Sequence, residues 1–161
     1  MKLYFFRHGQ AEDAGLPDFD DFTRELTDKG RERTEIAGRA LVKMGVKPRR
    51  LYSSPRIRAR QTADILAKIL GVSVAVREEV GFGLRAEAIQ EMIGDLDFNS
   101  EVMFVGHEPD LSATIAELIG GGEIVMKKGG MARVDLFENR LPLRGALVWV
   151  LAPRLFEIIE D

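Results

Sequence analysis

The sequence predicts a single α/β domain, and three observations carry that reading. Short apolar runs alternate with amphipathic helical stretches along the chain. The run at 102–105 is apolar at every residue, as a strand covered on both faces requires. Each of the two histidines, His8 and His107, follows at once on the end of such a run.

The elements follow in order. Residues 2–6 form a short apolar and aromatic strand that stops at Arg7-His8-Gly9. Residues 13–24 are polar, carry Gly15 and Pro17, and read as a long loop. Thr27 caps a helix to about Met44, with Ile36, Ala37, Ala40, Leu41 and Met44 on one face and Gly45 closing it. A second strand spans 50–53. Ser54-Pro55 then reads as a capping hydroxyl followed by proline in the first helical turn, opening a helix that runs to Leu70 and stops at Gly71. Residues 72–76 are strand-like, and 84–96 have a helical apolar face of Ile89, Met92, Ile93 and Leu96. The apolar strand ends at Gly106-His107-Glu108-Pro109, and Pro109 opens a helix to about Ile119. After Gly120 to Gly122, residues 124–126 and 132–137 suggest a hairpin, and 146–151 a last strand. No repeat or linker divides residues 1–161.

Composition narrows the chemistry. The 161 residues are 45% apolar and 30% charged, an ordinary globular balance. A net charge of −3 offers no global field toward nucleic acid or an anionic membrane, so any anion affinity must be local. Without a secretory signal or an apolar run of about 20 residues, the expectation is a cytoplasmic protein. The absence of cysteine excludes disulfides, thiolate metal sites and cysteine nucleophiles. Two histidines outside any paired-ligand spacing give no zinc centre, and no cofactor is expected.

In open α/β sheets ligands bind beyond the carboxyl ends of the strands. Two strand ends that each deliver a histidine can therefore converge on one crevice. Arg7 precedes His8, and Arg56, Arg58 and Arg60 cluster at a helix start, where guanidinium forks and free N–H groups suit a phosphate. Arg56 and Arg60 share one helix face and Arg58 points elsewhere, so they cannot all serve one site.

With these motifs in hand, the chain resembles the histidine phosphatase family, which includes the cofactor-dependent phosphoglycerate mutases. Arg7-His8-Gly9 looks like its nucleophile motif, and Leu26-Thr27-Asp28-Lys29-Gly30 its L-T-x-x-G helix start. Ser54 through Thr62 resembles its S-x-x-x-R-A-x-x-T segment, which singles out Arg58, and Gly106-His107 its second catalytic histidine. The resemblance implies a three-layer α/β/α sandwich on a mostly parallel sheet. It also implies His8 as the residue that takes the phosphoryl group, with Arg7, Arg58 and His107 holding the phosphoryl oxygens. Like-charge repulsion from the arginines is expected to keep His8 neutral.

The short length and Val105-Gly106-His107-Glu108-Pro109-Asp110-Leu111 look most like the SixA-type phosphohistidine phosphatases. Little chain separates the Arg58 helix from His107 to build a lid, which suits a histidine-phosphorylated protein substrate. Larger relatives place a glutamate acid between those positions, and Glu79, with Glu78 beside it, falls about there. An imidazole leaving group, with a pKa near ~6.5, needs such an acid far less than an alkoxide does. The same motifs leave two alternatives, a small-molecule phosphomonoesterase and a non-catalytic phosphoprotein-binding module.

Overall fold

The computed structural model describes residues 1–13, 15 and 20–161. Six strands form one sheet: β1 (Lys2–Arg7), β2 (Arg50–Ser53), β3 (Val74–Val76), β4 (Glu101–Gly106), β5 (Met131–Leu136) and β6 (Gly145–Leu151). Their order is β3-β2-β4-β1-β5-β6. The first four run parallel, while β5 pairs antiparallel with β1 and β6 antiparallel with β5. Five helices cover it: α1 (Asp28–Lys43), α2 (Ile57–Leu70), α3 (Ala86–Ile93), α4 (Asp110–Ile119) and α5 (Pro153–Glu160).

Strand alternation divides the interior in two. Leu3, Phe5, Val102 and Phe104 point to one face and pack on Ile89 and Ile93 of α3 and Leu111, Ile115 and Leu118 of α4. Tyr4, Phe6, Met103 and Val105 point to the other and meet Ala37, Ala40 and Leu41 of α1, Ala63 and Leu66 of α2, and Phe156 of α5. The result is a three-layer α/β/α sandwich. Phe5 and Phe6 of β1 are fully buried, each worth about 1.5–3 kcal/mol.

Several local expectations need correction. The helix after β2 begins at Ile57 rather than at Pro55, and no side chain caps it. The Ser54 hydroxyl is engaged elsewhere, as described below. β3 begins at Val74, because Val72 N–H still closes the end of α2 on the Ala67 carbonyl. Residues 124–126 form no strand. Their backbone turns to the end of β1: the Met126 carbonyl accepts from Arg7 Nη1, and Gly129 N–H donates to the Arg7 and His8 carbonyls. β5 therefore makes its hairpin with β6. Pro17 and its immediate neighbours in the 13–24 loop lie outside the described residues; its later part forms a 3-10 turn at Asp21–Thr23. Helix α5, where the sequence reading placed nothing, buries Phe156.

Candidate active site

The two histidines are carried by adjacent parallel strands. Arg7 of β1 registers with Gly106 of β4, and His8 N–H donates to the Gly106 carbonyl at 3.0 Å. Both side chains therefore leave the sheet at the same end, with ring centroids 5.1 Å apart. They are 4% and 5% exposed.

Hydrogen bonds define the tautomer of His8. Its Nδ1 lies 2.8 Å from the Gly9 carbonyl, which can only accept, so Nδ1 carries the proton. Nε2 therefore carries the lone pair, which accepts from Arg58 Nε at 3.3 Å. Burial lowers the His8 pKa to about 3; the Gly9 hydrogen bond opposes this, and Arg58, Arg7 and Lys128 add to it. The expected like-charge repulsion is present, but desolvation is the larger cause.

His107 is held by a residue that the sequence reading assigned to a helix cap. Ser54 Oγ lies 2.7 Å from His107 Nε2 and also accepts from Arg56 N–H at 3.3 Å. Among the described residues the buried Ser54 hydroxyl has no other acceptor for its one hydrogen, so it donates to Nε2, which puts the imidazole proton on Nδ1. Nδ1 is buried with no partner among the described residues, as is Arg7 Nε. Burial, followed by the charges of His8, Arg58 and Arg56, lowers the His107 pKa to about 3. Both rings are neutral at physiological pH, one presenting a lone pair and the other an N–H donor.

The S-x-x-x-R-A-x-x-T spacing now has a physical meaning. Arg58 is buried in the first turn of α2. One turn later Thr62 Oγ1 donates to the Arg58 carbonyl at 2.7 Å and accepts Gly9 N–H at 3.0 Å. Ala59 is fully buried against the sheet between them. Gln61, from the same turn, accepts Leu26 N–H at 2.8 Å and fixes the approach to α1. Thr27 Oγ1 accepts Gly30 N–H, while Thr27 N–H donates to the Gln10 carbonyl. Gly30 packs so closely there that a Cβ would lie 2.0 Å from the Gln10 oxygen.

Of the three arginines on α2 and its approach, Arg60 pairs with Asp64 on the exposed face. Arg56 pairs with Asp21 and stacks over the Phe82 ring at 4.2 Å. Arg58 is the one beside His8. Its outer nitrogens bond the Asp21 backbone oxygen at 2.6 Å and Asp21 Oδ2 at 3.1 Å. Asp21 also pairs with Arg24 at 2.9 Å. Burial disfavours this carboxylate, but Arg58, Arg24 and Arg56 outweigh burial and hold its pKa below the ordinary value. Sequence reading missed Asp21; its only signal was its place among several aspartates in a polar loop.

Glu79 is not brought to the histidines. The 3-10 turn Glu78–Val80 buries Val80 and turns both glutamates to solvent. Glu79 lines a separate groove with Arg50, Tyr52, Arg77 and Glu91.

Residues 3–84, half of the chain, match the histidine phosphatase superfamily (branch 1). The chain belongs to this superfamily. An uncharacterized protein of Picosynechococcus sp. is 34% identical and covers 94% of this chain and 99% of its own length. The mitochondrial serine/threonine-protein phosphatase Pgam5 of Drosophila yakuba is 42% identical over 66 residues, which are 41% of this chain and 22% of that one. Among solved structures, the protein histidine phosphatase SixA complexed with tungstate superposes with a TM-score of 0.82 at 24% identity, over 96% of this chain and 99% of that one. SixA from Agrobacterium tumefaciens gives 0.76 at 26% identity, over 94% and 98%. The superfamily match and the SixA fold support phosphatase activity for this chain. Among the described residues no helix is long and apolar enough to cross a membrane.

Proposed function

We propose that this histidine phosphatase removes phosphate from a histidine-phosphorylated protein through a phospho-His8 intermediate. The observation that carries the proposal is the His8 Nε2 lone pair, aimed at Arg58 Nε beside the neutral ring of His107. Nε2 attacks phosphorus while the P–N bond to the substrate imidazole breaks. Arg7, Arg58 and the His107 N–H hold the phosphoryl oxygens as charge spreads over them. Water then attacks phosphorus, the P–Nε2 bond breaks, and inorganic phosphate leaves. The arginines supply the neutralising charge, so the reaction is metal-independent. The substrate ring takes a proton from solvent on its distal nitrogen, at a pKa near ~6.5, and so leaves as neutral imidazole; no dedicated acid is needed, and Glu79 has no part in the scheme.

The test is rapid quenching in alkali with a labelled phosphohistidine protein, since P–N bonds survive base. Label on wild type, absent from His8→Ala, is the expected result; unchanged hydrolysis by His8→Ala refutes the mechanism. Turnover of sugar phosphates but not of the phosphoprotein would overturn the substrate class in favour of a small-molecule phosphomonoesterase. No turnover of either would leave the binding-module reading.

A further inference from the structure

A groove of about 530 Å3 opens beside the nucleophile loop, where Arg7 and Gly9 meet the first turn of α1, the Lys127–Gly130 turn and the start of α5. It is lined by five cations, Arg7, Arg33, Lys127, Lys128 and Arg154, and, among the described residues, by no carboxylate. In a chain of net charge −3 this is a local reversal of sign. Among the described residues the only carboxylate in salt-bridge contact with these five is Glu157, 3.4 Å from Arg33. The phosphoryl chemistry proposed above uses Arg7 alone of the five. Arg33, Lys127, Lys128 and Arg154 are left over, in a trough continuous with the nucleophile loop.

We infer that this groove receives an acidic segment of the protein substrate, carboxylates flanking its phosphohistidine, while the phosphoryl group sits at His8. The inference rests on the phosphohistidine reading. The cations decide the kind of anion. They come from separate chain segments, and among the described residues Lys127, Lys128 and Arg154 are tied into no salt bridge. A compact monoanion would call for converging donors; separate flexible cations suit several carboxylates spread along an extended chain. The turn that carries Lys127 and Lys128 is itself anchored, since Gly129 N–H donates to the Arg7 and His8 carbonyls. A segment lying in the groove is thereby placed in register with the nucleophile.

The experiment compares two phosphohistidine peptides, one flanked by Asp and Glu and the other by Asn and Gln, with phosphoramidate as the minimal substrate. Wild type is expected to favour the acidic peptide about tenfold in kcat/KM, the yield of two or so exposed charge pairs, and to lose the preference as salt rises. Lys127→Gln/Arg154→Gln should bring the peptides within about twofold while leaving phosphoramidate hydrolysis unchanged. Equal rates on both peptides in wild type, or a preference that survives the double variant, overturns the inference. The two readings fail separately. If neither peptide is hydrolysed, the phosphohistidine reading falls, and anisotropy of the labelled, unphosphorylated acidic peptide decides the groove. Binding weakened about tenfold in the double variant supports it, and no binding overturns it. Competition by pyrophosphate that disappears in the double variant, with the acidic peptide indifferent, would assign the groove to a small polyanion instead.

Discussion

The Ser54 hydroxyl lies 2.7 Å from His107 Nε2, both groups are buried, and this contact decides which nitrogen of His107 carries its proton. Ser54→Ala leaves Nε2 without a partner and lets the tautomers mix. With a buried polar group unsatisfied at about 1–3 kcal/mol, kcat should fall about tenfold or more. Ser54→Thr, which restores the hydroxyl, should recover part of it. Steady-state kinetics on the three proteins checks the order.

Arg58→Lys keeps the charge but removes the Nε–H that meets His8 and the fork that would hold phosphate. Activity should drop roughly a hundredfold, the scale of losing one preorganised transition-state donor. Arg60→Lys, at an exposed pair with Asp64, should leave the rate unaltered. Parallel assays of the two variants separate a specific from a general effect of arginine loss.

Asp21→Asn removes the internal anion from Arg24, Arg56 and Arg58 while keeping the backbone oxygen on Arg58. Orthophosphate should then inhibit more tightly by about two- to fivefold, the scale of a partly exposed ion pair. Product-inhibition constants measured at two salt concentrations test this.

Thr62→Val keeps the shape of the side chain but orphans Gly9 N–H. The protein should lose about 1–3 kcal/mol of stability, read by urea unfolding. Activity should fall further than stability alone would explain, because Gly9 also supplies the carbonyl that fixes the His8 tautomer.

Both histidines have pKa values lowered to about 3, against 6.5 in an unfolded chain. The hydrolysis rate should therefore show no inflection near pH 6.5 arising from the free enzyme. Stability should behave differently. Below pH 6.5 the unfolded chain takes up protons that the folded chain refuses, so stability falls as pH drops, by about 1.4 kcal/mol per pH unit for each histidine. Denaturation midpoints at pH 7 and pH 5.5, compared with His107→Asn, should show the slope reduced in the variant.

Much of this was legible in the sequence. The alternating pattern specifies the sandwich, because β1 and β4 must be apolar on both sides to lie between two helix layers. The histidines announce themselves by following those strands. The Ser54 hydroxyl was misread because Ser-Pro is a genuine helix-start signal, and only the neighbouring strand brings His107 to compete for it. Residues 124–126 have the β-branched character of a strand, yet their partner is the Arg7 guanidinium, which no local pattern reveals. Asp21 was hidden for the same reason: its contacts with Arg56 and Arg58 join a loop to the start of a helix more than 30 residues away. Glu79 shows the converse failure. Its position along the chain is right for an acid, but the burial of Val80 sets the direction of the turn.

The hydrogen bond from His8 N–H to the Gly106 carbonyl has a metric consequence. Neighbouring strands lie about 4.8 Å apart, and the two imidazoles, each one residue beyond its strand, stand 5.1 Å apart. The gauge of the site is thus the lattice constant of the sheet. Loops around the rim can lengthen, shorten or change charge without widening the gap between the rings, so the reacting span is set by the backbone ladder and selectivity is left to the rim.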